Sequence, residues 1–98
     1  MATVKYNDGL LERLRNPGYA IEYLNEALNE GTQEVFMMAL RDVAKAKGIS
    51  QIANETNLNR ESMYRMLSEK GNPNLSSLNQ ILNSLGLTLA IEKKENAA

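Results

Sequence analysis

The sequence predicts an all-α fold of about five helices, closed by one short C-terminal β-strand. Apolar residues recur at three- and four-residue spacing between residues 16 and 86, the period of helices with one buried face. Asn, Thr and Ser stand ahead of these runs as N-caps, and glycine or a Gly-Asn-Pro cluster follows them. Only residues 87–91 alternate with the two-residue period of a strand. The chain divides accordingly into an N-terminal arm and helix (1–31), a helical domain (32–86) and a C-terminal strand and tail (87–98).

Each element has a local cause. Asn16-Pro17 opens the first helix: asparagine accepts from a first-turn N–H, and proline suits that turn. Ile21, Leu24 and Leu28 form its expected stripe, with Ala20 and Ala27 beside them, and Gly31 stops it. Thr32 caps the second helix, which carries Phe36, Leu40, Val43 and Ala44 inward. Lys45 and Lys47 suit the dipole at its end, and Gly48 closes it. Ser50 is the expected cap of a short third helix with Ile52 and Ala53 inward. Asn59 caps the fourth, which buries Met63, Met66 and Leu67 and ends before Gly71-Asn72-Pro73. Ser76 is read as the cap of the fifth, with Leu78, Ile81, Leu82 and Leu85 as its stripe and Gly86 as its stop. In the strand, Leu87, Leu89 and Ile91 share one face. A lone strand cannot satisfy its own backbone, so these three are candidate dimerisation residues, pairing with a second copy or with another protein's sheet edge. Residues 1–9 and 93–98 are expected to be loosely ordered.

Composition removes whole classes of chemistry. The 98 residues contain no cysteine and no histidine, which excludes disulfides and thiol catalysis and removes the commonest metal ligand and acid–base group. Asp and Glu are scattered without a convergent pair, and no glycine-rich phosphate loop occurs. A non-enzyme without cofactor, metal or small-molecule substrate is expected. No apolar run reaches membrane-spanning length, and MATVKYNDG lacks the apolar core of a signal peptide, so a cytoplasmic protein without membrane contact is expected. The net charge of −1 argues against coating nucleic acid by charge alone. Its distribution is uneven. Residues 1–34 hold three basic (Lys5, Arg13, Arg15) and six acidic (Asp8, Glu12, Glu22, Glu26, Glu30, Glu34) side chains. Residues 41–70 hold six basic (Arg41, Lys45, Lys47, Arg60, Arg65, Lys70) against four acidic (Asp42, Glu55, Glu61, Glu69). That pattern suits two surfaces with different partners.

The informative stretch is Gly48–Leu67, two short helices joined by a tight turn. Ala53 sits where the helices touch, and Leu58 plugs the core from the turn. Asn57 occupies a position expected to need a left-handed backbone, which asparagine tolerates next best after glycine. Asn59, Arg60, Glu61, Ser62, Tyr64 and Arg65 on the fourth helix are candidate DNA-binding residues. Arginine can pair bidentately with guanine, and glutamate can accept from cytosine. Ser50 and Gln51, beginning the third helix, are expected near a phosphate. The same spacing also occurs in helix pairs that bind no DNA and carry a plain solvated face. A stand-alone phage-type repressor and a protein-interaction module with a degenerate helix-turn-helix therefore remain alternatives.

Ser50-Gln51-Ile52-Ala53, then Asn57-Leu58-Asn59-Arg60-Glu61-Ser62-Met63-Tyr64, then Gly71-Asn72-Pro73, resembles the lambda-repressor/Cro-like (XRE) group. Within it, the sequence is most similar to the addiction-module antidote proteins, the HigA-like antitoxins. Tyr23-Leu24-Asn25-Glu26-Ala27-Leu28 and Glu30-Gly31 extend the likeness, which covers roughly residues 16–91. Asn57 stands where the family usually has glycine and Asn59 where it has serine, and Ser50–Ala53 is two residues shorter than the matching run of many XRE proteins. The resemblance implies a lambda-repressor-like domain and a type II antitoxin that neutralises a RelE/HigB-like toxin and represses its own operon. It implies a homodimer on a double-stranded operator, with half-sites about one helical turn, ~34 Å, apart. A toxin that engages RNA is expected to be basic, so Tyr23, Glu26 and Glu30 on the acidic arm are candidate toxin contacts. Equally, residues 16–31 could simply pack on the core.

Overall fold

The computed structural model describes residues 9–68 and 70–94. Among them the chain is all-helical. Helix α1 is described over 9–14. It is followed by α2 (Pro17–Asn29), α3 (Gln33–Lys47), α4 (Ile49–Glu55), α5 (Arg60–Met66) and α6 (Leu75–Ser84). One continuous apolar cluster runs from Leu10 and Leu14 of α1 to Ile81 and Leu82 of α6. Leu40, Ile52, Met63, Leu67 and Ile81 lie at its centre. Each such side chain contributes roughly 1.5–3 kcal/mol on burial, so four of the six described helices hold one another through these residues. Among the described residues no polar or charged side chain is buried, and no helix is long and apolar enough to cross a membrane.

Several caps fall where the sequence places them. Asn16 Oδ1 accepts from the Tyr19 N–H (3.1 Å), Thr32 Oγ1 from Val35 (3.2 Å) and Asn59 Oδ1 from Ser62 (2.7 Å). The Gly86 stop is a Schellman turn: the Leu87 N–H bonds Leu82 O (2.8 Å) and the Gly86 N–H bonds Asn83 O (3.0 Å), with Gly86 at φ 78°. Gly71 has a different reason. A Cβ there would lie 1.9 Å from the Met66 carbonyl oxygen, so only glycine lets the loop after α5 close onto that helix.

Other expectations need correction. Helix α1 was not foreseen, because the Asn16-Pro17 start signal makes the residues before it read as a leader. Leu10 and Leu14, one turn apart, are buried. On α2 the buried stripe is Ala20, Leu24 and Ala27, while Ile21 and Leu28 are 44% and 54% exposed. Small residues at 20 and 27 let α2 lie close against α3, which rotates the bulkier neighbours to its flank. Helix α4 begins at Ile49 with Gly48 (φ 115°) as its N-cap, so Ser50 lies inside the first turn and makes no cap. Asn74, not Ser76, caps α6; its Oδ1 accepts from the Ser77 N–H (2.8 Å).

Asn57 is not left-handed, since no described residue other than glycine has positive φ. The corner is made by Thr56 in an extended conformation (φ −119°, ψ 176°). Its hydroxyl donates to Ile52 O (2.9 Å) and accepts the Leu58 N–H (3.2 Å), doing with a side chain what a left-handed residue does with backbone. Finally, Leu87, Leu89 and Ile91 lie in no strand: 87–94 run without helix, ladder, turn or bend. The described chain holds no second strand to complete a ladder, so the two-residue pattern has nothing to pair with. Of the ends expected to be loosely ordered, residues 1–8 and 95–98 lie outside the described residues. Gly9 belongs to α1 and 93–94 have no regular structure.

Candidate nucleic-acid interface

Helix α5 has two faces set by its seven residues. Met63 is wholly buried, and Leu67, one turn on, fills the core behind it. Arg60, Glu61, Tyr64 and Arg65 stand at i, i+1, i+4 and i+5, so they share the opposite face, and all four are exposed. Ser62 is half-buried at its edge. The Arg60 guanidinium lies 6.0 Å from the Tyr64 ring centroid, at the limit of a cation–π contact, and Arg65 Nη2 lies 3.4 Å from Ser62 Oγ. Both guanidinium groups keep most of their donors free for a ligand. Asn59 is exposed, but its side-chain oxygen is engaged with the Ser62 N–H, leaving its amide NH₂ available.

Ser50 and Gln51 are exposed in the first turn of α4. Gln51 Nε2 donates to Glu55 Oε2 (3.2 Å), and Glu55 Oε1 pairs with Lys47 Nζ at 2.8 Å. Lys47 also donates to the Ser84 carbonyl oxygen. This chain of contacts ties α4 to the end of α3 and the end of α6. The Lys47 hydrogen bond, followed by that of Gln51, holds the Glu55 carboxyl below the ordinary carboxylate range. The Asn57 N–H, 3.4 Å from Gln80 Oε1, links the turn to α6 as well. These contacts fasten α4 and the turn to α3 and α6, and none of them engages Arg60, Tyr64 or Arg65.

The structure adds one residue to the site. Lys70, exposed in the loop after α5, lines the same open groove as Arg65, Ser68 and Asn72. Only a local excess of basic residues hinted at this in the sequence, because the fold of the loop onto α5 depends on Gly71.

The remaining candidates differ in exposure and in what they touch. Glu26 and Glu30 are exposed at the end of α2, but the half-buried Tyr23 hydroxyl donates to Asp42 Oδ2 (2.7 Å) and fastens α2 to α3. Leu87 packs against the core, Leu89 is 44% exposed and Ile91 is fully exposed. Among the described residues no group of His, Cys, Asp or Glu could hold a metal ion.

Fold and site together define a small helical protein that presents a polar Arg/Tyr face on a short helix with an apolar back. An uncharacterized protein of Haemophilus influenzae Rd is 36% identical over 75 residues, which cover 76% of this chain and 77% of that protein. No solved structure matches. The family model described as "probable addiction module antidote protein" matches residues 6–93, and the chain belongs to that family.

Proposed function

We propose that this chain is the antidote of a toxin–antidote pair, binding a RelE/HigB-like toxin and also acting as a DNA-binding repressor of its own operon. In this reading α4, the Thr56 turn and α5 form a lambda-repressor-like (XRE/Cro) helix-turn-helix, and two copies bind a double-stranded operator. The observation that carries the DNA half is the separation of roles on α5, with Met63 wholly inside and Arg60, Glu61, Tyr64 and Arg65 outside. Arg60 and Arg65 address base edges, and Lys70 with Ser50 and Gln51 addresses flanking phosphates. Membership of the antidote family supports the toxin-binding half. Glu26 and Glu30 offer acidic groups to a basic toxin, with Tyr23 holding their helix in place. No catalysis, cofactor, metal or membrane has a part, and the protein acts in the cytoplasm.

Two measurements test the reading. The purified protein should shift a duplex carrying the DNA upstream of its own gene, with an affinity that falls steeply as salt rises. Co-expression should rescue growth arrested by the small neighbouring gene product. Absence of any salt-dependent DNA binding would remove the repressor half, and failure of rescue would remove the antidote half.

A further inference from the structure

Gln51, assigned above to a flanking phosphate, already has a partner within its own helix. Its Nε2 lies 3.2 Å from Glu55 Oε2, one turn further along α4, and both side chains are exposed on that face. The amide NH₂ carries two hydrogens, so one serves Glu55 and the other remains for a ligand. Two hydrogen bonds through one nitrogen put their acceptors about 5 Å apart. A phosphate oxygen accepting from Gln51 would therefore lie that close to a carboxylate, and the two anions repel. Lys47 meets this charge. Its Nζ lies 2.8 Å from Glu55 Oε1, the oxygen that Gln51 leaves free. Lys47 belongs to the end of α3, its side chain is only 25% exposed, and it is held a second time by the Ser84 carbonyl oxygen at the end of α6.

We propose that Lys47 and Glu55 are positioning residues for DNA: Glu55 aims the Gln51 carboxamide at a backbone phosphate, and Lys47 cancels the charge on Glu55 that would drive the phosphate away. This rests on the helix-turn-helix reading above and adds to it two residues that act through Gln51 without touching the duplex. Lys47 then differs from Arg60, Arg65 and Lys70, whose charges act on DNA directly. Its effect on binding passes through Glu55, so removing the cation alone is harmful and removing both charges is not. A glutamine at position 55 still accepts from Gln51 and carries no charge.

Gel shifts of the full-length protein on a duplex carrying the DNA upstream of its own gene, at one salt concentration, test the pair. Lys47→Met should weaken binding by about fivefold or more. The double variant Lys47→Met/Glu55→Gln should return to within about twofold of the parent. Both variants lose the bond to Ser84, so recovery in the double variant rules out loosened packing as the cause. A third variant, Lys47→Met/Glu22→Gln, restores the same net charge from exposed Glu22 on α2 and should stay as weak as Lys47→Met. Unchanged binding by Lys47→Met overturns the proposal. So does a Glu55 double variant as weak as Lys47→Met, which would make Lys47 a direct phosphate contact or a plain anchor of α6. Equal recovery with Glu22→Gln also overturns it, leaving only net charge. A parent protein that shifts no duplex removes the repressor reading itself, whereas a parent that binds while the Glu55 double variant stays weak removes this pair alone.

Discussion

Helix α5 and the segment 87–94 both expose residues that the sequence marks as functional, yet they do so in opposite ways. On α5 the exposed side chains are polar, and the backbone beneath them is fully helical and anchored by Met63. In 87–94 apolar Leu89, Ala90 and Ile91 are exposed beside polar Thr88, Glu92, Lys93 and Lys94, and the backbone has no ladder. The first is a finished surface, whose outward residues can change without touching the fold. The second has no helix or ladder of its own to hold its residues in place. A binding site built on a packed helix separates affinity from stability; one built on a segment without regular structure merges them.

The comparison is open to attack at several points. The largest effect is expected under α5. Met63→Ala removes a wholly buried side chain, and Gly71→Ala drives a Cβ into the Met66 carbonyl. Each should cost about 2–4 kcal/mol in urea unfolding, and DNA binding should fall with the fold. A stable Gly71→Ala protein would show that the loop does not need its close approach.

On the outward face the two properties should part. Arg60→Ala or Arg65→Ala should each lose about 1–3 kcal/mol of operator affinity while unfolding free energy moves by less than ~0.5 kcal/mol. Lys70→Ala should weaken binding evenly across sequences and lower the salt slope by about one. Equal loss on specific and random DNA for Arg60→Ala would reassign that residue from bases to phosphates.

Asn59→Ala tests the boundary between the two roles, because its side chain caps α5 and is also exposed. The lost cap should cost about 1 kcal/mol of stability, measurable by denaturation, whereas Asn59→Asp should keep the cap.

The smallest effect concerns Glu55. Its folded-state pKa is depressed, so the Lys47 pair contributes above the unfolded-state value and is lost as pH falls through the lower folded value. A carboxyl NMR titration should place Glu55 below ordinary glutamates, and Lys47→Met should move it upward. Because Glu55 is exposed, salt should weaken the shift.

Much of the fold was legible because the relevant forces are local. Asn16, Thr32 and Asn59 cap where their side chains predict, and Gly31, Gly48 and Gly86 adopt the positive φ that ends helices. Phe36, Leu40, Val43 and Ala44 had the period of a buried face, and so did Leu78, Ile81, Leu82 and Leu85. The α5 face was legible for the same reason: once Met63 is inside, helical geometry alone puts Arg60, Tyr64 and Arg65 outside.

What only the tertiary structure decided lies where a residue's role depends on distant neighbours. Local sequence cannot say that Ile21 and Leu28 yield the core to Ala20 and Ala27, because that follows from how closely α2 approaches α3. Nor can it say that Thr56 turns the corner instead of Asn57, that Tyr23 is committed to Asp42, or that Lys70 comes to lie beside Arg65. Caps and periodicity act within a few residues and are written in the chain. Packing distance and long-range hydrogen bonds arise only once the helices are assembled.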